Sequence, residues 1–112
     1  MDIQVPDRGD YVYITLNPQA GTEKAGRRSA IVLSPKEFNK KTGFASICPI
    51  TNTVKQWPFQ VHLPEGEFFT GAIETDQLKN LDWLSRKIQI VGQADEEVVE
   101  ECLAKIETFL SY

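Results

Sequence analysis

A chain of 112 residues has room for one domain and one core. Its composition, 41% hydrophobic and 25% charged, excludes an intrinsically disordered protein, and no apolar run reaches the roughly 18 residues of a membrane span. One histidine, His62, and two cysteines, Cys48 and Cys102, with no CxxC pair leave a zinc site or a Cys–His catalytic pair almost nothing to build on. The chain is therefore expected to use no metal and no cofactor. Its first residues lack the basic and apolar regions of a secretory signal, which points to a cytoplasmic protein without a membrane partner. The net charge of −4 argues at first sight against nucleic acid, but the charges are unevenly spread. Residues 1–61 carry 8 basic and 5 acidic side chains, whereas 62–112 carry 4 basic and 11 acidic. The N-terminal half could therefore face a polyanion, while the acidic run at the end suits the wet face of a helix.

In chain order, the first strand is expected over 11–16, where Val12, Ile14 and Leu16 alternate with Tyr11, Tyr13 and Thr15 and set one aliphatic face. A polar loop over 22–28 follows, then a short buried strand over 30–33 that Ser34-Pro35 terminates. Asn39-Lys40-Lys41-Thr42-Gly43 reads as a turn before a strand over 44–50, and a loop over 51–56 precedes a strand over 59–63. Strands over 71–75 and 87–91 complete the set, with a helical turn possible within 76–84. Short strands between Gly, Pro and Asn turns indicate a small, strongly bent antiparallel sheet or barrel. At the end the period changes. Val98, Val99, Cys102, Leu103, Ile106, Phe109 and Leu110 form one helical face, with Asp95 as N-cap and Glu96 and Glu97 at the positive end of the dipole. Cys102 on this stripe reads as a small core hydrophobe.

Three polar clusters could carry chemistry. Gly21-Thr22-Glu23-Lys24-Ala25-Gly26-Arg27-Arg28 enters a buried strand, and an arginine there presents fixed donors suited to a phosphate. On composition alone the same stretch also reads as a solvated loop. Thr51-Asn52-Thr53 could bind a ligand or simply cap a turn, and Glu74-Thr75-Asp76-Gln77 could meet base edges or cap a helix through Asp76. His62 lies in an alternating strand and reads as structural or surface.

Together these blocks resemble the MazF/PemK (Kid) family of toxin endoribonucleases. Val5-Pro6-Asp7-Arg8-Gly9-Asp10 and Asn17-Pro18 look like its opening, Gly21 to Arg28 like its active-site loop, and Ala30-Ile31-Val32-Leu33-Ser34-Pro35 like the strand that follows. Cys48-Pro49-Ile50-Thr51-Asn52 is similar to its proline-x-threonine segment, and Asp76-Gln77-Leu78-Lys79 with Asp82-Trp83 to its aspartate-glutamine block. The resemblance spans about 4–110, essentially the whole chain.

What the resemblance implies is a mainly β fold: a single SH3-like, plasmid-maintenance-toxin barrel over 1–112 with a C-terminal amphipathic helix. It also implies a homodimer that cleaves single-stranded RNA in a sequence-selective way, without a metal, as the toxin of a type II toxin–antitoxin module. Its further partner would be an antitoxin protein, with DNA met only through the antitoxin complex. By position, Arg28 and Thr51 match the catalytic residues and Glu23 an acidic group of the loop. Arg27, Asn52, Lys55, Asp76, Gln77, Lys79 and Arg86 are expected at the substrate. Two positions depart from the pattern: Ser29 stands where the family usually has proline, and Glu74 where Kid-type members have an arginine. RNA supplies its own nucleophile, the 2′-hydroxyl, so the residues need only orient it, stabilise phosphorane-like charge and move protons. Two other readings are a gyrase poison on the same barrel, whose characteristic tryptophan-glycine-isoleucine tail this chain lacks, and a non-catalytic SH3-like binding module.

Overall fold

The computed structural model describes residues 3–16 and 26–111. Its strands are β1 (Asp10–Thr15), β2 (Arg27–Val32), β3 (Phe44–Thr51), β4 (Gln60–His62), β5 (Ala72–Glu74), β6 (Lys79–Asp82) and β7 (Gln89–Gln93). Two α-helices, α1 (Lys36–Thr42) and α2 (Glu96–Leu110), and a 3₁₀ turn over Thr75–Gln77 complete the described elements. All pairings are antiparallel, in the order β4-β5-β3-β2-β1-β7. The mainly β fold with a C-terminal helix is as expected, but among the described residues the bent sheet stays open between β4 and β7.

β3 organises the architecture. One of its edges pairs with β2 through Ala30↔Pro49, Ile31↔Cys48 and Val32↔Ile47. Its other edge is shared, the first half pairing with β6 from Phe44↔Asp82 to Ile47↔Lys79 and the last two residues with β5. The strands at the centre are apolar on both faces, so the sheet is covered on both sides rather than half-buried. Tyr11, Ile31, Cys48, Ile50 and Ile73 form one cluster beneath Val98, Val99, Cys102 and Ile106 of α2. Val12, Ile14, Ala30, Val32 and Ile47 form the other, closed by Trp83. The expected alternation in β1 therefore holds, but its second face is buried too, with Tyr11 wholly enclosed.

Several boundaries differ from the sequence reading: β4 and β5 are shorter than expected, and β7 lies two residues later, at Gln89–Gln93. β2 starts at Arg27, so both arginines belong to the strand and not to the loop before it. β3 runs on to Thr51, which makes Thr51 a strand end. The expected turn at 39–43 is the last part of α1, which starts after Pro35 and ends on Gly43 in the left-handed conformation (φ 76°). Asn39 is the buried reason for this helix: its Nδ2 donates to the carbonyls of Pro6 and Ser34, at 2.8 and 3.0 Å. The possible helical turn in 76–84 contracts to Thr75–Gln77, and Lys79–Asp82 extends as β6 because β3 offers it a free edge. In α2, Asp95 occupies the N-cap, but its carbonyl rather than its side chain caps, accepting from Val98 and Val99 N–H.

Candidate active site

The geometry begins with the register of β2 against β3. The paired register ends at Ala30↔Pro49, and strand alternation carried two residues further would put Arg28 and Thr51 on one face. Arg28 is exposed, and its Nη2 donates to the Ile50 carbonyl at 3.4 Å, with Ser29 Oγ on the same carbonyl at 3.5 Å. Thr51 Oγ1 accepts the Thr53 N–H at 3.0 Å, which orients the hydroxyl so that its own hydrogen can be donated outward. Asn52 is exposed, and its Oδ1 accepts from Thr70 Oγ1 at 3.1 Å. The Arg28 cation thus reaches the end of β3 at Ile50, and Thr51 and Asn52 follow next in the chain. Glu23, expected in the same site, lies outside the described residues.

The other expected contacts divide. Arg27 and Arg86 are bound into the fold rather than presented outward. Arg27 Nη1 donates to the carbonyls of Lys87 (2.7 Å) and Arg86 (3.3 Å) and to Thr15 Oγ1 (3.3 Å). Arg86 forms an ion pair with Asp82 at 2.6 Å and donates through Nη1 to the carbonyls of Leu16 (2.6 Å) and Thr15 (3.3 Å). Hydrogen bonds from Ser85 and Arg86 hold the Asp82 carboxyl below its ordinary range. At the end of β1 the Thr15 and Leu16 carbonyls thus find their partner in Arg86 Nη1. Asp76 caps no helix: its Oδ2 accepts the Trp57 indole N–H at 2.9 Å. Gln77 and Lys79 are exposed beyond it.

Lys55 is exposed on a loop whose conformation is fixed from below. The buried Gln60 side chain accepts the Lys55 N–H (2.8 Å) and donates to the Thr53 carbonyl (3.1 Å). His62 Nε2 lies 3.1 Å from the Lys55 carbonyl, a surface and structural role as expected. Gln60 escaped the sequence reading because it sits on the polar side of an alternating strand; only its burial under the loop reveals it. Both thiols are core groups. Burial pushes Cys102 up to about 12 and raises Cys48 as well, so neither is a nucleophile at neutral pH.

A family model described as "PemK-like, MazF-like toxin of type II toxin-antitoxin system" matches residues 7–110. The chain belongs to this family. The endoribonuclease toxin MazF of Escherichia coli (strain K12) is 37% identical over 106 residues, covering 95% of each chain. A crystal structure of MazF from Deinococcus radiodurans superposes with a TM-score of 0.87 at 38% identity, over 98% of this chain and 100% of that one. A MazE–MazF structure from the same organism gives 0.87 at 38% identity, over 96% and 98%. The fold and family expected from the sequence are thereby established, and no helix among the described residues is long and apolar enough to cross a membrane.

Proposed function

We propose that this chain is the toxin of a type II toxin–antitoxin pair, an endoribonuclease that cleaves single-stranded RNA selectively and without a metal. The carrying observation is the exposed Arg28 guanidinium on the Ile50 carbonyl, one residue before Thr51 at the end of β3. Related chains named as endoribonucleases favour cleavage over gyrase poisoning or mere binding. Arg28, cationic throughout the working pH range, would stabilise charge developing on the phosphate as the 2′-oxygen attacks. The Thr51 hydroxyl would donate to a non-bridging oxygen. Among Glu23 and the remaining loop groups, Glu23 is the carboxylate suited to take the proton or to hold Arg28. Asn52, Lys55, Gln77 and Lys79 are the exposed candidates for the flanking nucleotides, with Asp76 acting through Trp57.

A cytoplasmic homodimer fits this reading, since Trp57 (48% exposed) and Phe68 (55% exposed) remain on the surface for a symmetric partner to cover. Phe69 needs no such partner, because it packs edge-on against Tyr11 and Tyr13. An antitoxin with an acidic tail would compete with RNA for the same cationic surface. The test is an oligonucleotide with a single 2′-deoxy sugar on the 5′ side of the scissile phosphate. It should bind and resist cleavage, while the all-ribose strand is cut in excess EDTA to leave a 5′-hydroxyl. Undiminished cleavage of the 2′-deoxy strand would overturn the mechanism.

A further inference from the structure

Thr51 is the last residue of β3 and Asn52 follows it, where a chain would ordinarily fray. The segment that meets them is 67–71, and it is anchored elsewhere. Glu67 Oε1 accepts the hydroxyl of the buried Tyr11 at 2.6 Å and the Asp95 N–H at 3.2 Å. Phe69 stands edge-on to Tyr11 and Tyr13 with centroids at 5.3 and 5.4 Å. Phe68 lies against Gly92, where an added Cβ would come within 3.0 Å of its side chain. The segment therefore reaches the site already fixed to the core cluster beneath α2.

Its far end abuts the strand end at two points. Gly71 has φ +104°, and a Cβ there would lie 2.1 Å from the Thr51 carbonyl oxygen and 2.9 Å from Asn52 Oδ1. Only glycine allows both that backbone and that approach. The next residue, Ala72, is the register partner of Thr51, and the Gly71 carbonyl accepts the Leu63 N–H at 2.9 Å. Thr70 Oγ1 donates to Asn52 Oδ1 at 3.1 Å. With Oδ1 occupied, the Asn52 NH₂ is the group turned outward, a donor to acceptor atoms.

We infer that Thr70 and Gly71 are positioning residues for cleavage: Gly71 sets the height of the Thr51 backbone, and Thr70 sets the orientation of the Asn52 amide. Neither touches RNA. The inference rests on Thr51 and Asn52 belonging to the site, as proposed above. Steady-state cleavage of a short fluorogenic oligonucleotide, run beside thermal melts, tests it.

Thr70 is exposed, so Thr70→Val should melt with the wild type yet cut roughly tenfold more slowly in kcat, the scale of one hydrogen bond. Thr70→Ser, which keeps the hydroxyl, should restore the rate. The Thr70→Val/Asn52→Ala double variant should cut no more slowly than Asn52→Ala alone, because Thr70 acts through Asn52. Gly71→Ala should lose more, roughly a hundredfold, as relieving a 2.1 Å contact moves the Thr51 carbonyl by about an ångström. If Thr51→Ala cuts slowly while Thr70→Val cuts at the wild-type rate, or if the Thr70 and Asn52 losses simply multiply, the positioning role is wrong. If Thr51→Ala itself cuts at the wild-type rate, the site reading fails and this inference fails with it.

Discussion

Arg27 and Arg28 adjoin in the chain and leave β2 on opposite faces. Arg27 turns toward the end of β1 and ties three groups of that edge together through one nitrogen. Arg28 turns toward the end of β3 and, among the described residues, makes a long contact to the Ile50 carbonyl. A guanidinium that bridges three groups of the fold is a structural group; one that is exposed at a strand end is the one proposed above to meet an anion. The same contrast separates Arg86, paired with Asp82, from Lys55 on its clamped loop. Two arginines of equal chemistry thus make unequal contacts by the alternation of a strand.

The comparison breaks most sharply by substitution. Arg28→Ala should slow RNA cleavage by two or more orders of magnitude, the scale of losing one preorganised charge stabiliser, and leave the melting temperature near the wild type. Arg27→Ala should do the reverse. Losing the three contacts of Arg27 Nη1 should lower stability by about 1 kcal/mol, read by denaturant titration, with a smaller loss of rate. Equal losses of rate from both would erase the distinction.

Gln60→Ala sharpens the same point at the loop. It should release the Thr53 carbonyl and Lys55 N–H and cost about 1–2 kcal/mol. Sequencing the 5′ ends of cut RNA should show a broadened base preference; an unchanged preference would show that the loop reads no bases.

The smallest effect concerns charge away from the site. Repulsion from Glu67 raises the Asp95 carboxyl above its ordinary value, and burial raises Asp10. A folded-state carboxyl raised above its unfolded value of about 4 contributes stability only while protonated, and that contribution is lost as pH rises through the raised value. Asp95→Asn, an equally good N-cap residue, should therefore match the wild type in acid and melt slightly higher at neutral pH. A lower melting point at neutral pH would contradict the assignment of Glu67 as the cause.

The core strands were legible from sequence because apolar alternation survives whatever the partners are. Val12 and Ile14 in β1 and Val98, Cys102 and Ile106 in α2 lie where their periods put them. The polar ends of β2 and β3 were not legible, since Arg27, Arg28 and Thr51 have turn-like chemistry and become strand residues only by pairing. α1 and β6 escaped for the same reason. Lys36–Thr42 is held by a single buried amide, and Lys79–Asp82 by an edge that β3 supplies from over thirty residues away. At the site, family resemblance reached Arg28 and Thr51, but no pattern distinguishes an arginine that contacts carbonyls from one that faces solvent. Nor does any pattern mark Gln60, Thr70 or Gly71, whose importance lies in what they touch.

The central claim is that Arg28 and Thr51 act on one phosphate as a unit. A double-mutant cycle on single-turnover RNA cleavage tests it directly. Thr51→Ala alone should cost roughly tenfold, the worth of one neutral hydrogen bond. In the Arg28→Ala background the same change should cost almost nothing, because groups that act together lose their effect together. Two losses that multiply in full would show that the strand ends act independently, and the account would be wrong.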